Sequence, residues 1–267
     1  MLVMSLWAMG FLAALAMAMG VQAEGQIRAA RHVGIRIQAF HEAWGGVARG
    51  TAAVRDWPSE EGGDPLPPVL AGDGYLVRME PGKVPLNAAS AEVLAALITQ
   101  VGVPEGSTAE EIAAAIVDWR DVDDTVSADG AEDDSYEALS PPYACSNTDL
   151  TSVEELLLIR GVTSELYTAL RPYVTVRGAT VNLNTAPALV LQAVGLSASA
   201  AEKVAAYTAG ADGVRDTEDD RSCTSVAACP AETELSPEET STLTAASSLL
   251  TTTAAAYAVR GEAHVPG

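Results

Sequence analysis

Residues 84–97, VPLNAASAEVLAAL, return as VNLNTAPALVLQAV at 181–194. Each copy reads as a strand end, an Asn, a few small residues and then an apolar helix, so one supersecondary unit is used twice. Asn87 and Asn184 suit a turn or N-cap position, where the side-chain oxygen accepts a backbone N–H. Three hydroxyl-to-Glu spacings of the capping-box type follow: Thr108 with Glu111, Ser152 with Glu155, and Ser199 with Glu202. They predict short helices near 109–119, 153–160 and 200–208. Gly161, between LLLIR and TSELYTAL, reads as a helix stop before a new start. The middle of the chain is therefore a bundle of short helices joined in hairpins.

Outward toward the N-terminus, the texture changes. Residues 1–23 carry no charge, and as a helix they would run about 35 Å, enough to cross a hydrocarbon core of roughly 30 Å. A cleaved signal peptide is the competing reading, but the basic n-region is missing. Beyond Glu24, apolar residues at Ile27, Ala30, Val33, Ile37, Phe40 and Trp44 keep helical spacing, and no Pro interrupts residues 2–56. One long helix, apolar at its start and amphipathic later, is the expected form. Residues 57–74, rich in Pro, Gly and Asp, read as a loop, and 74–79 alternates as a short strand.

Between the two copies lies DWRDVDDTVSADGAEDDSYEALSPPY (118–143), in which nine residues are acidic and Arg120 is the only base. Adjacent carboxylates, Gly and Pro make a helix here unfavourable. Acids at alternating positions (Asp121, Asp123) and again past a Gly (Glu132, Asp133) can fold several hard oxygens around one cation such as Ca2+, although the spacing is not that of an EF-hand. A plain solvated acidic loop is the alternative. A second acidic loop, GADGVRDTEDD (210–220), offers Asp212, Asp216, Asp219 and Asp220 for a further oxygen-rich site. Trp119 reads as a core anchor beneath the first loop.

Against 15 basic residues stand 36 acidic ones, a formal charge of −21, which repels phosphate backbones and favours divalent cations or basic partners. Aromatic residues are sparse and Ala is abundant, so small residues are expected in the core. Cys223 and Cys229 lie close in one polar loop and can bridge in an oxidising compartment, leaving Cys145 free. His32, His41 and His264 are scattered, and no GxSxG or HExxH occurs. No catalytic constellation converges, and the expectation is a non-enzymatic protein.

The stretch LNTAPALVLQAVGLSASAAEKVAAY (183–207) resembles the helix-hairpin-helix of competence-type DNA receptors. However, Ala198 replaces the second turn Gly that would free an N–H for phosphate, and the flanks are acidic. A more extensive resemblance runs through DWRDVDD, GAEDDSY, PPY, LTSVEELLLIRGVTSELYTALRPYVTV and VNLNTAP: the chain resembles the minor pseudopilin K family of bacterial type II secretion systems. That resemblance implies an α+β fold with a long N-terminal pilin-type helix (1–23 in the membrane, 24–56 beyond it). It also implies a small pilin-like α/β domain (57–87 and 245–267) and a large inserted all-α, SAM-like helical-hairpin domain (88–244). By the same resemblance the chain binds Ca2+ and caps a short periplasmic pseudopilus, anchored in the inner membrane. Its partners would be minor pseudopilins of the I and J type, met through the long helix, and nucleic acid would not be one. Ser5 would stand where most pilins carry a glutamate. Two departures bear on leader processing and on closure of the sheet. No basic leader ending in Gly stands ahead of the apolar run, and GEAHVPG (261–267) closes the sequence at the end of an expected strand, 255–265.

Overall fold

The computed structural model describes residues 2–57, 67–80, 82–215, 217, 219–254 and 256–264. Helix α1 runs unbroken from Leu2 to Arg55, as the Pro-free sequence requires. Strands β1 (Val69–Gly72), β2 (Tyr75–Met79) and β7 (Tyr257–Gly261) form one sheet in the order β1-β2-β7. β1 lies inside the stretch expected to be loop, where Pro and Gly mask a four-residue strand. Two compact units emerge: residues 1–56, 71–77 and 259–267 make the first, and 57–70 with 78–258 make the second. The divisions at 77/78 and 258/259 differ from the boundaries 88 and 244 read from the sequence.

In the first unit, α1 comes against the sheet residues through Gly46 and Gly50, one turn apart and both buried. A Cβ on Gly46 would run into the Gly74 carbonyl and lie 3.1 Å from the Gly261 Cα; one on Gly50 would meet a Val259 methyl at 2.7 Å. Glycine is required here by close approach, not by backbone angle. Arg49 adds a bond from Nε to the Asp73 carbonyl at 3.0 Å.

The second unit is a duplication. Two strand pairs, β3 (Val84–Pro85) with β4 (Val174–Thr175) and β5 (Val181–Asn182) with β6 (Leu250–Thr251), are both parallel, so each needs a long crossover. In the first copy the crossover holds α2 (Ala91–Val101), α3 (Ala109–Arg120), α4 (Asp133–Glu137), a 3-10 helix (Val153–Leu158) and α5 (Ser164–Leu170). In the second it holds α6 (Ala188–Ala193), α7 (Ala198–Thr208), α8 (Cys229–Glu232), α9 (Pro237–Ala245) and a short 3-10 turn, Ser247–Leu249. LTSV at 150–153 returns as CTSV at 223–226. At the same offset, Gly161 (φ 83°) becomes Glu234 (φ 53°), and the N-cap Thr163 becomes the N-cap Ser236. Buried Leu156 and Leu170 become buried Cys229 and Leu243.

Asn87 and Asn184 show why the repeated Asn is needed. Neither caps a helix: Ser90 caps α2 and Pro187 stands at the cap of α6. Instead, Asn87 holds Leu150 by both backbone groups, Nδ2 to O and Oδ1 from N, each 2.9 Å, and donates to the Val176 carbonyl. Asn184 does the same to Cys223 and to the Thr252 carbonyl. Each side chain fastens the end of the acidic loop to the strand that closes its copy, satisfying backbone groups that would otherwise be orphaned by burial.

The helix expected at 153–160 is a 3-10 helix with its Ser152–Glu155 box intact, and Thr108–Glu111 caps α3 as expected. The third expected box is absent. Ser197 caps α7, and Ser199 donates to Glu239, the N3 residue of a Ser236–Glu239 box on α9. Although fully buried Ala residues recur in the core, its largest members are Leu, Ile and Tyr. Cys223 and Cys229 are disulfide-bonded and Cys145 is free.

Candidate functional site

The candidate metal centre sits in the first copy, where α3 ends and the acidic loop begins. The Thr108 capping box starts α3, and the helix delivers Asp118 in its last turn and Asp121 at its C-cap, three residues apart and so on one side. Glu132 occupies the N-cap of α4 without capping it. One carboxylate oxygen from each of the three lies within 4.8 Å of the others. Asp118 is fully buried and Glu132 is 3% exposed. Beneath them Trp119 packs edge-on to Tyr136 and Tyr143, at centroid distances of 5.1 and 6.2 Å, which makes it the core anchor expected.

Among the described residues, four buried oxygens here have no hydrogen-bond partner: Asp118 Oδ1, Asp121 Oδ1 and both oxygens of Glu132. Asp118 Oδ2 is held, accepting from the Ser127 N–H at 3.1 Å. Arg120 forms no ion pair with them among the described residues: its Nη2 donates to the Ala89 carbonyl, and its charge offsets the rise at Asp121 only in part. Burial first, and then the charges of Asp123 and Asp118, push the Asp121 carboxyl up. Glu132 is raised by burial and then by Asp118 and Asp121. Three converging carboxylates with unmet oxygen valence form a donor set for a hard divalent cation, and the residues fit one. The Cys145 thiol, with Sγ 3.8 Å from the Asp118 carbonyl, is pushed by burial up to about 11, so it stays protonated.

Of the sequence candidates, the structure brings together Asp121 and Glu132 and adds Asp118. Asp123 turns away, accepting from the Thr125 N–H at 2.8 Å, and Asp133 accepts from the Cys145 N–H at 2.7 Å. In the second loop Asp219 binds the N–H groups of Ala211 and Asp212, while Asp212 accepts from the Val214 N–H. That loop uses its own backbone donors, and Asp212, Asp219 and Asp220 form no metal-binding group among the described residues. Asp216 lies outside the described residues. Asp118 was legible only from helical phase: in DWRD it stands one turn before Asp121.

Residues 74–179 match the family model of type II secretion system protein K. Over that stretch the chain is similar to type II secretion protein K. Protein K of Pectobacterium carotovorum subsp. carotovorum is 42% identical over 98 residues, covering 36% of this chain and 30% of the relative. That of Aeromonas hydrophila is 44% identical over 94 residues, 34% of this chain and 28% of the relative. The aligned stretches thus span less than a third of these relatives. A chain in the crystal structure of the GspK-GspI-GspJ complex from enterotoxigenic Escherichia coli shares the fold, with a TM-score of 0.57 at 18% identity over 91% of this chain and 88% of that one. The α+β class with a long N-terminal helix agrees with that likeness. The DNA-receptor alternative draws no support from these matches.

Proposed function

We propose that this chain is a minor pseudopilin of protein K type, a non-enzymatic tip subunit of a type II secretion pseudopilus in the bacterial envelope. The match of residues 74–179 to the protein K family carries the reading. The solved neighbour's assembly with GspI and GspJ supports partners of the I and J type. α1 offers the means: Ile27, Val33, Ile37, Phe40 and Trp44 are all exposed along it, an apolar stripe suited to a partner helix. Among the described residues no helix is long and apolar enough to cross a membrane, and the side chains of Leu2, Val3, Ser5, Leu6 and Ala8 lie outside that set. The charge-free run 1–23 supports anchoring in the inner membrane with the rest in the periplasm. Ile37→Asp with Phe40→Asp should abolish co-purification with I- and J-type partners while the second unit stays folded. Undiminished complex formation would overturn the helix-mediated reading.

Ca2+ held by Asp118, Asp121 and Glu132 completes the proposal. Bound there, it would supply the positive charge that the trio lacks, tying the end of α3 to the start of α4. Its larger, flexible shell suits three carboxylates on separate segments better than the octahedron of Mg2+ does. A hundredfold excess of calcium over Kd should stabilise the fold by about 3 kcal/mol relative to EDTA, and Asp118→Asn should erase most of that gain. An EDTA-treated chain whose melting midpoint calcium leaves unmoved would exclude the site.

A further inference from the structure

The seam between the two copies opens into a cleft of about 170 Å³ that none of the acid trio lines. Its walls follow the repeat. Lys83 and Thr180 immediately precede the matching strands β3 and β5, Thr175 and Thr251 end β4 and β6, and Arg177 and Thr253 follow them at the same offset. Gly82 lets the chains meet: a Cβ there would strike the Asn182 carbonyl and come within 2.8 Å of the Ala186 nitrogen. The first copy therefore supplies two cations to the cleft, and the second supplies hydroxyls.

Neither cation is spent elsewhere. Lys83 and Arg177 form no ion pair among the described residues, whereas Lys203, the chain's other lysine, is tied to Glu239 at 2.7 Å. A chain at −21 does not need two more surface charges for solubility, and counter-ions of its own making are plentiful. Yet these two cations face one concavity with Glu80 as the only acid among its lining residues. Hydroxyl donors and cations around a half-open polar space are the groups that recognise an oxyanion.

We propose that this cleft binds a single carboxylate, presented by an acidic side chain or by the C-terminus of a peptide. Two cations and one acid leave a net charge of +1 at the cleft, which one carboxylate neutralises. A phosphate dianion would overshoot that balance and face Glu80 directly. The cleft is open to solvent on one side, so it takes the carboxylate while the rest of the peptide lies outside. The proposal is independent of the metal site and of the secretion reading.

Calorimetry on the full chain in detergent at low ionic strength tests it with four probes. They are N-acetyl-trialanine with a free carboxylate, the same peptide as its amide, N-acetyl-Ala-Asp-Ala-amide, and inorganic phosphate. At least one carboxylate peptide should bind saturably and the trialanine amide should not; which of the two binds identifies a terminal or a side-chain carboxylate as the source. Lys83→Gln and Arg177→Gln should each weaken binding at least fivefold, and the double variant should abolish it. Glu80→Gln should tighten it, and Arg28→Gln, on α1, should leave it unchanged. Salt should weaken it, since half-exposed charges are screened. Absence of saturable binding by either carboxylate peptide, tighter binding of phosphate, equal binding of the amide, or undiminished binding to the folded double variant would each overturn the assignment.

Discussion

Glu239 and Glu132 are two buried glutamates with opposite electrostatics. Glu239 accepts from the Lys203 ammonium, from Ser199 Oγ and from the Ser236 N–H, and these bonds, the lysine's first, lower its carboxyl from 4.5 to about 2. A carboxylate depressed on folding contributes stability that is present above its unfolded value and is lost as pH falls toward the folded one. Acid titration of the folded chain should therefore show a loss between pH 4.5 and about 2, and Glu239→Gln should flatten that limb while lowering stability at neutral pH. With Asp121 and Glu132 the sign reverses. Burial and neighbouring acids raise them, so without a cation their contribution is full at low pH and is lost as pH rises through the raised values. In EDTA the Asp121→Asn, Glu132→Gln double variant should keep the stability that the parent loses on that rise; an unchanged loss would show that other groups cause it. The sequence disclosed the acidic loop but not its chemistry. Asp123 and Asp133 look equivalent to their neighbours on paper, yet an Asx-type turn and the Cys145 N–H claim them. Those claims are settled by backbone geometry, not by spacing.

The duplication explains what was legible at the level of elements. VPLN and VNLN could be matched because strand, Leu and Asn all face one core and one clamp. LTSV and CTSV had drifted further, since the contact they preserve is between buried side chains of changed type. Strands of two residues carry no period of their own, so β3 to β6 could not be read as parallel pairs. Asn at a strand end suggests a cap by propensity, but the longer-range clamp on Leu150 and Cys223 outweighs it. The correspondence also assigns the disulfide its place, because Cys223 and Cys229 occupy the positions of buried Leu150 and Leu156. The bridge stands where the first copy uses apolar packing. Reduction should cost the native chain about 2 kcal/mol, given so short a loop. A Cys223→Leu, Cys229→Leu variant should melt near the oxidised protein and ignore reductant. If that variant unfolds as the reduced protein does, the second copy depends on the covalent bond itself.

Over the whole molecule, the longest feature was the easiest to read. A charge-free run followed by an amphipathic stripe, with no Pro, leaves little besides one helix, and α1 is that helix. How it is seated was hidden, because glycines inside a helix signal weakness by propensity while close approach depends on residues far away in sequence. The structure separates the two cases. Gly34 has open space where a Cβ would go, whereas Gly46 faces the Gly74 carbonyl and Gly261 within the first unit. Gly34→Ala should therefore stabilise α1 by up to about 1 kcal/mol, the ordinary gain from removing a mid-helix glycine. Gly46→Ala gains the same propensity but must push backbone aside, and overpacking of this kind costs about 1–3 kcal/mol. The same substitution twelve residues along one helix should thus change sign. Thermal melts of the two variants, with proteolysis near residues 71–77 as a local probe, give the comparison. Stabilisation by both would mean that α1 does not rest on the sheet through Gly46, and destabilisation by both would mean that Gly34 also meets something in the assembled protein.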